Sequence, residues 1–387
     1  MSSAFKISII FCLATSSLLA AGEHPGAIFL AIWPTARSTA LGGAMTGLAD
    51  DADAAYWNPG GLGFQEHVEF AGTYGEWLPG LYPGMGYYYG SAGYGLSNSI
   101  SKRILNVGLN NTYLRTDEFP TIDENGNYLG EATSYDEALG VHCGIGLSNK
   151  LGLGLVLKYI YSILPPDFWF ERPFPIKGSG FAADFGILYK PKHFLSLGFT
   201  LANIGPRITY IHTLYEASDP LPQMVRIGLC YTPVNNEVLK LRIIPELDKV
   251  LVGMLHDSYY DTLAFGHRLA YEWKEAWKSL GIEAAIYNIF TLRLGYFEDV
   301  TGARGGVRVI KGYQEEYLSL LEYIFSRDRG HLDKIGITFG FGLNFKNYLS
   351  FDISDDHLIY DFQTSNVKFS LTSHNLVGLA RKIAQYF

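Results

Sequence analysis

Asp50, Asp51 and Asp53 crowd together in LADDADAAYW, a spacing that could turn carboxylates toward a cation. At the ends of short helices the same residues are ordinary caps that answer the helix dipole, and that is how we read them. The segment DENGN, from Asp123 to Asn127, resembles the start of a calcium loop. No glutamate follows at the spacing that would complete the shell, so it reads as a hairpin turn. The ten His are scattered, with no HExxH, no G-x-S-x-G elbow and no glycine-rich phosphate loop between a strand and a helix. The expectation is a protein that is no enzyme, with no metal and no cofactor. A different set of charges remains: Lys158, Asp184, Arg226, Arg242 and Arg293, with Lys240, Glu246, Asp248, Asp352 and Lys368, each alternating with apolar neighbours in a strand-like run. Charges at that phase suit the lumen of a barrel, either paired with one another and with a cap or lining a route for a solute. Lys249 falls on the other phase, near a strand end.

The elements that place these charges are strands. In IGITFGFGLNF the residues Ile335, Ile337, Phe339, Phe341, Leu343 and Phe345 face one way, and Gly336, Thr338, Gly340, Gly342 and Asn344 the other. LGLGLVLKYIYSI repeats the pattern from Leu151 to Ile163. A membrane-crossing strand needs about nine to eleven such residues. Runs of this kind fall at 67–77, 84–96, 103–115, 135–148, 151–164, 177–190, 194–203, 223–232, 237–251, 279–287, 290–299, 333–345, 347–354 and 366–373. The connections alternate between long (116–134, 165–176, 204–222, 252–278, 300–332, 355–365) and short (97–102, 149–150, 191–193, 233–236, 288–289, 346). Outer-membrane barrels sort their loops this way, whereas a soluble sandwich has no reason to. The fold class is therefore all-β: an antiparallel transmembrane barrel of about 14 strands with an N-terminal helical plug, spanning 67–373.

Composition agrees. Of 387 residues, 27 are Tyr, 24 Phe and 43 Gly, and only 18% are charged, which suits a lipid-facing surface. A net charge of -8 excludes nucleic acid as a partner. Residues 1–22 read as a signal peptide, with Lys6 before an apolar run and small residues at Ala20 and Gly22. This places the chain in the cell outer membrane, with lipid around it. Cys143 and Cys230 lie in strand-like runs at no metal or redox spacing and read as small barrel residues, with a disulfide the alternative. Two outer connections are expected to be partly helical. Near 256–278, Leu269, Trp273 and Trp277 make a stripe that should pack on the rim, and 311–329 shows a similar spacing. The tail, 374–387, has a mixed helical pattern.

Residues 23–66 form the plug. In ARSTALGGAMTGLADDADAAYWNPGGLGF, Gly42 and Gly43 permit close approach, and the turn at Asn58 and Pro59 is set by the proline ring; Asp50 and Asp51 make acidic turns, and short helices are expected within 44–56. This stretch closely resembles the N-terminal signature of the PorV/PorQ family of outer-membrane proteins of type IX secretion. LKYIYSIL, GSGFAADFGILYKP, LSLGFTLANIGPRITYI, SDPLPQMVRIGLCYTP and FTLRLGYFED resemble that family in order. The family is similar to FadL-type long-chain fatty-acid channels, which implies a fourteen-stranded barrel with a plug, although Gly60 stands where alanine is usual after the Asn-Pro pair. Membership implies an accessory or shuttle role in type IX protein secretion, with a large translocon barrel and secreted cargo bearing a C-terminal signal domain as partners. The 312–329 insert and the chain beyond Ser373 depart from the family pattern. The alternative is a FadL-like channel for long-chain fatty acids or other hydrophobic ligands. In both readings the aromatic outer loop with Phe168, Trp169 and Phe170 is the candidate contact, for cargo or translocon in one and for acyl chains in the other.

Overall fold

Period-two alternation builds the wall. In this computed structural model residues 25–375 are described except 81–83, 98–102, 123–125, 165–175, 211–217, 255–264, 327–328, 346–347 and 361–364, along with 377, 378, 382 and 384. The candidate loop of Phe168, Trp169 and Phe170, the 1–22 segment and most of the tail lie outside the described residues. Fourteen strands form a closed antiparallel barrel. They are β1 (Val68–Glu76), β2 (Gly86–Ser97), β3 (Ile104–Arg115), β4 (Tyr135–Gly146), β5 (Leu151–Leu164), β6 (Ile176–Lys192) and β7 (Leu195–Ile204), followed by β8 (Met224–Asn235), β9 (Leu239–Val250), β10 (Trp277–Ile286), β11 (Phe290–Asp299), β12 (Ile337–Phe345), β13 (Leu349–Asp356) and β14 (Asn366–Ser373). β1 pairs with β14 from Phe70↔Ser373 to Gly75↔Lys368, so no edge is left open.

Along β3, Leu105, Val107 and Leu109 are exposed while Asn106 and Asn110 are buried. This inverts a soluble protein's pattern and is what a hydrocarbon surround demands. At the long-connection end, Tyr74, Tyr88, Tyr113, Tyr135 and Tyr161 stand in a row, ring to ring at 5.3 to 6.0 Å. At the other end Phe194 meets Tyr231 and Phe290 meets Phe341, both at 6.1 Å. Such girdles sit at the two lipid–water boundaries. By the same architecture the short turns face the periplasm. Among the described residues no helix is long and apolar enough to cross a membrane. Cys143 and Cys230 are both free thiols.

Three sequence expectations need correction. β12 begins at Ile337, not at 333, because His331–Ile335 joins Val307–Lys311 and Gln314–Leu318 in a separate three-stranded sheet outside the barrel. Gly336 makes the corner: its N–H donates to Gly306 O at 2.7 Å, and a Cβ there would lie 2.7 Å from Gly305 Cα. Second, the rim helix, α3 (Phe265–Glu275), does not bury its stripe. Leu269 and Trp273 are exposed, and Lys249 holds the helix by ion pairs to Glu272 (2.5 Å) and Glu275 (2.7 Å). Third, the plug helices are α1 (Ala36–Ala40) and α2 (Ala54–Trp57), with 3-10 turns at Ile28–Ala31 and Pro59–Phe64. Residues 44–53 are turns. Thr35 and Ser38 form a reciprocal capping box that starts α1 early, and Gly42 (φ 65°) and Gly43 (φ 80°) stop it.

Candidate functional site

The plug runs down the barrel, from residues 26–33 near the long connections to 60–66 at the short turns, and its two halves meet different walls. Around the inner half the inward-facing wall residues are glycines. A Cβ on Gly186 would lie 2.6 Å from the Pro59 ring, one on Gly228 2.5 Å from Gly47 N, and one on Gly281 3.0 Å from Leu41 O. The plug backbone lies directly on the sheet. On the plug side, a Cβ at Gly42 would sit 2.7 Å from Tyr296 O, and one at Gly60 2.5 Å from Leu188 N.

Charge locks this contact. Arg37, the one basic side chain among residues 25–66, reaches Asp50 (2.8 Å) and Asp51 (2.5 Å) within the plug and Glu283 (3.0 Å) on β10. Glu283 also accepts from Arg242 and from Arg293 (2.7 Å), and Arg293 continues to Asp352 at 2.6 Å. The expected capping role survives only at Asp51, whose Oδ1 accepts from the Asp53 amide at 3.1 Å ahead of α2; its Oδ2 and both Asp50 oxygens are taken by guanidinium groups, and Asp53 itself makes no side-chain cap. Burial pushes the Asp50 and Asp51 carboxyls up, but Arg37, joined by Arg242 at Asp50, outweighs it and holds both below the usual carboxylate range. At Asp53 burial is reinforced by Asp51, and the pKa is raised well above that range.

Further hydrogen bonds complete the inner seal. The Asn58 amide donates to Thr46 O and Ile187 O, both at 2.9 Å, while its oxygen accepts from Gly60 N at 3.0 Å. Glu246 accepts from the Thr46 amide and hydroxyl, each at 2.6 Å.

The outer half is different. Phe29, Leu30 and Ile32 are buried in one cluster with Tyr87, Ile160, Ile208 and Leu221 of the wall and its connections. Polar ties are few and mostly run from a tyrosine hydroxyl: Tyr210 Oη accepts from Ala27 N at 3.1 Å, Tyr56 donates to Leu30 O at 2.9 Å, and Tyr87 to Ile32 O at 3.3 Å. Lys368 marks the border, donating to Trp33 O at 2.7 Å and Thr39 Oγ1 at 3.0 Å. Residues 26–33 thus meet the wall mainly through apolar side chains, whereas 35–66 add the ionic network to their share of the same apolar cluster; Arg226, Asp248 and Glu298 keep buried charge on the wall at the long-connection end as well.

Solved structures of similar outline are outer-membrane channels. The Pseudomonas putida toluene transporter TodX is 13% identical, covering 91% of this chain and 98% of its own, at a TM-score of 0.48. The Ralstonia pickettii toluene transporter TbuX is 13% identical over 87% and 97%, at 0.47. A Pseudomonas aeruginosa FadL homologue is 10% identical over 88% and 97%, at 0.45. No protein-family model matches the sequence, and no curated protein does.

The residues singled out from the sequence fall in separate places. Gly42, Asn58 and Pro59 contact the wall and Asp50 and Asp51 hold Arg37, whereas Gly43 lies against Trp33 within the plug. Arg242 and Arg293 join the ionic network. Lys158 instead pairs with Asp184 at 2.8 Å, with Asn203 closing the group. Arg226 stacks near Tyr56 and Trp57, 4.8 and 4.9 Å from their ring centres, and donates to Tyr56 O at 3.0 Å. Sequence reasoning missed Arg37 and Glu283, the centre of the network. Glu283 sits on the inward phase of its strand and Arg37 is the plug's lone cation, so both signals were present. Among the described residues no group of His, Cys, Asp and Glu could hold a metal ion.

Proposed function

We propose that this chain is an outer-membrane channel for small hydrophobic or amphipathic molecules, gated by residues 26–33 of its own plug. One observation carries the reading: the segment 26–33 meets the wall through Phe29, Leu30 and Ile32, buried in an apolar and aromatic cluster with Tyr87, Ile160, Ile208 and Leu221. Apolar contacts are non-directional, so a hydrophobic solute entering from outside can replace the segment contact for contact. The ionic inner half meanwhile keeps the plug seated and the membrane closed to ions. The test is uptake of labelled long-chain fatty acid and of toluene by bacteria lacking their own hydrophobic channels. Expression of the chain should raise uptake of at least one; uptake no higher than in empty-vector cells counts against the channel.

A second reading, the shuttle of PorV type in type IX secretion, is favoured by a specific surface. On helix α4 (Leu320–Phe325), which follows the outer three-stranded sheet, Leu321, Ile324 and Phe325 are exposed, as is Tyr313 in the hairpin of that sheet. Purification from the native bacterium in mild detergent, followed by mass spectrometry, separates the two. A very large barrel or secreted proteins sharing a C-terminal domain would favour the shuttle, and a bound apolar ligand without protein partners the channel.

A further inference from the structure

The short-turn end of the barrel is basic in a chain whose net charge is -8. A cavity of about 380 Å³ opens there, with Lys150, Lys190, Lys192, Lys240 and Arg242 around it and Asp50 as its sole carboxylate. Both Asp50 oxygens are already engaged by guanidinium groups: Oδ1 takes Arg37 at 2.8 Å and Oδ2 takes Arg242 at 2.8 Å. Among the described residues none of the four lysines makes an ion pair; the Lys190 ammonium rests 3.9 Å from the centre of the Phe64 ring. A second cavity, of about 220 Å³, shares Asp50, Lys240 and Arg242 and adds Arg37, Arg293 and Glu283; its arginines are paired with carboxylates, which leaves Lys240 as the cation there without an acidic partner among the described residues. Leu48, Leu195 and Cys230 form an apolar floor to the larger cavity.

Lys190 on β6 and Lys240 on β9 are half-buried where they face the same cavity and cannot retreat fully into water. Like charges held this way repel one another, and an anion placed among them relieves the repulsion. Four ammonium groups without carboxylate partners match the charge of a phosphate better than that of a single carboxylate. We propose that this basin is a phosphate-binding site, with Lys190 and Lys240 as its inner contacts and Lys150 and Lys192, on the adjoining turns, at its rim. Two sources offer this chemistry on the periplasmic side: free phosphate and the head group of an anionic phospholipid in the inner leaflet. The site lies at the opposite end of the barrel from the segment 26–33 and does not depend on the channel reading.

Calorimetry with inorganic phosphate on the protein in a neutral detergent tests the free-anion arm. Native mass spectrometry from phosphatidylcholine discs with and without phosphatidylglycerol tests the lipid arm. Binding in either arm is expected to weaken about tenfold or more in Lys190→Gln/Lys240→Gln, and also to weaken as salt rises. Retained phosphatidylglycerol that this variant loses assigns the site to a lipid head group; phosphate binding without retained lipid assigns it to the free anion. Lys150→Gln/Lys192→Gln changes only exposed side chains, leaves folding unaffected, and should weaken binding by a smaller factor. The proposal is overturned if neither probe binds, or if a variant with normal heat-modifiable gel mobility binds as well as the parent. Should the inner pair fail to fold, unchanged binding in the turn pair overturns it.

Discussion

The two halves of the plug solve the same packing problem by different means. Residues 35–66 share the apolar cluster through Leu41, Met45, Leu48 and Trp57 but are held in addition by buried guanidinium–carboxylate pairs, by Asn58 and by glycines that let backbone touch backbone. Residues 26–33 are held by apolar side chains and a few tyrosine hydroxyls. Ionic and hydrogen-bonded contacts are directional, and each strands a buried partner when broken. Apolar contacts accept any partner of fitting shape. A plug held this way would be fixed below and exchangeable above, which is what the proposed gate for hydrophobic solutes requires.

The strongest way to break this contrast is Glu283→Ala. It leaves Arg37, Arg242 and Arg293 facing an empty position, and loss of one buried partner costs about 3–5 kcal/mol. The barrel should melt earlier and small-ion conductance in planar bilayers should appear; a tight bilayer would mean that the ionic half does not seal. Replacing Asn58 and Pro59 together with Ala is expected to have a smaller effect. Each carbonyl left without the Asn58 amide costs about 1–3 kcal/mol, and leakage of small solutes should rise without loss of the barrel.

Tyr56→Phe with Tyr210→Phe sharpens the comparison from the other side. Each removes a hydrogen bond worth about 0.5–1.5 kcal/mol from the outer segment alone. Hydrophobic uptake should rise while ion conductance stays at the parent level; parallel changes in both would erase the distinction between the halves. The smallest effect concerns pH. Asp50 and Asp51 have folded values below the unfolded carboxylate value of about 4, so their stabilisation is complete above that pH and is lost as pH falls through the lowered values. Conductance should therefore stay closed from about pH 8 to 5, and any leak should grow only in stronger acid.

Strand positions were legible because lipid imposes a rule on every second residue: Leu105, Val107 and Leu109 could not be polar without cost. The same rule failed at 333–335, where His331–Ile335 alternates as well as a barrel strand does and only the Gly336 corner sends it elsewhere. It also failed at Leu269 and Trp273, whose helical spacing suggested burial that the rim does not supply. The charges Lys158, Arg226, Arg242 and Arg293 were visible as inward residues, but their partners were not. Arg37 and Glu283 are 246 positions apart, and no local pattern carries that pairing.

By itself, then, the sequence determined the wall: how many strands, which face meets lipid, and that its opening segment folds as something other than a strand. These follow from period-two alternation and from turn residues, both local. Only the tertiary structure decided what the inward glycines are for, which charges neutralise one another, and that Lys150 of a turn, Lys190 of β6 and Lys240 of β9 converge on one basin. Those outcomes depend on where closure of the barrel and threading of the plug bring distant residues, and closure is a property of all fourteen strands at once.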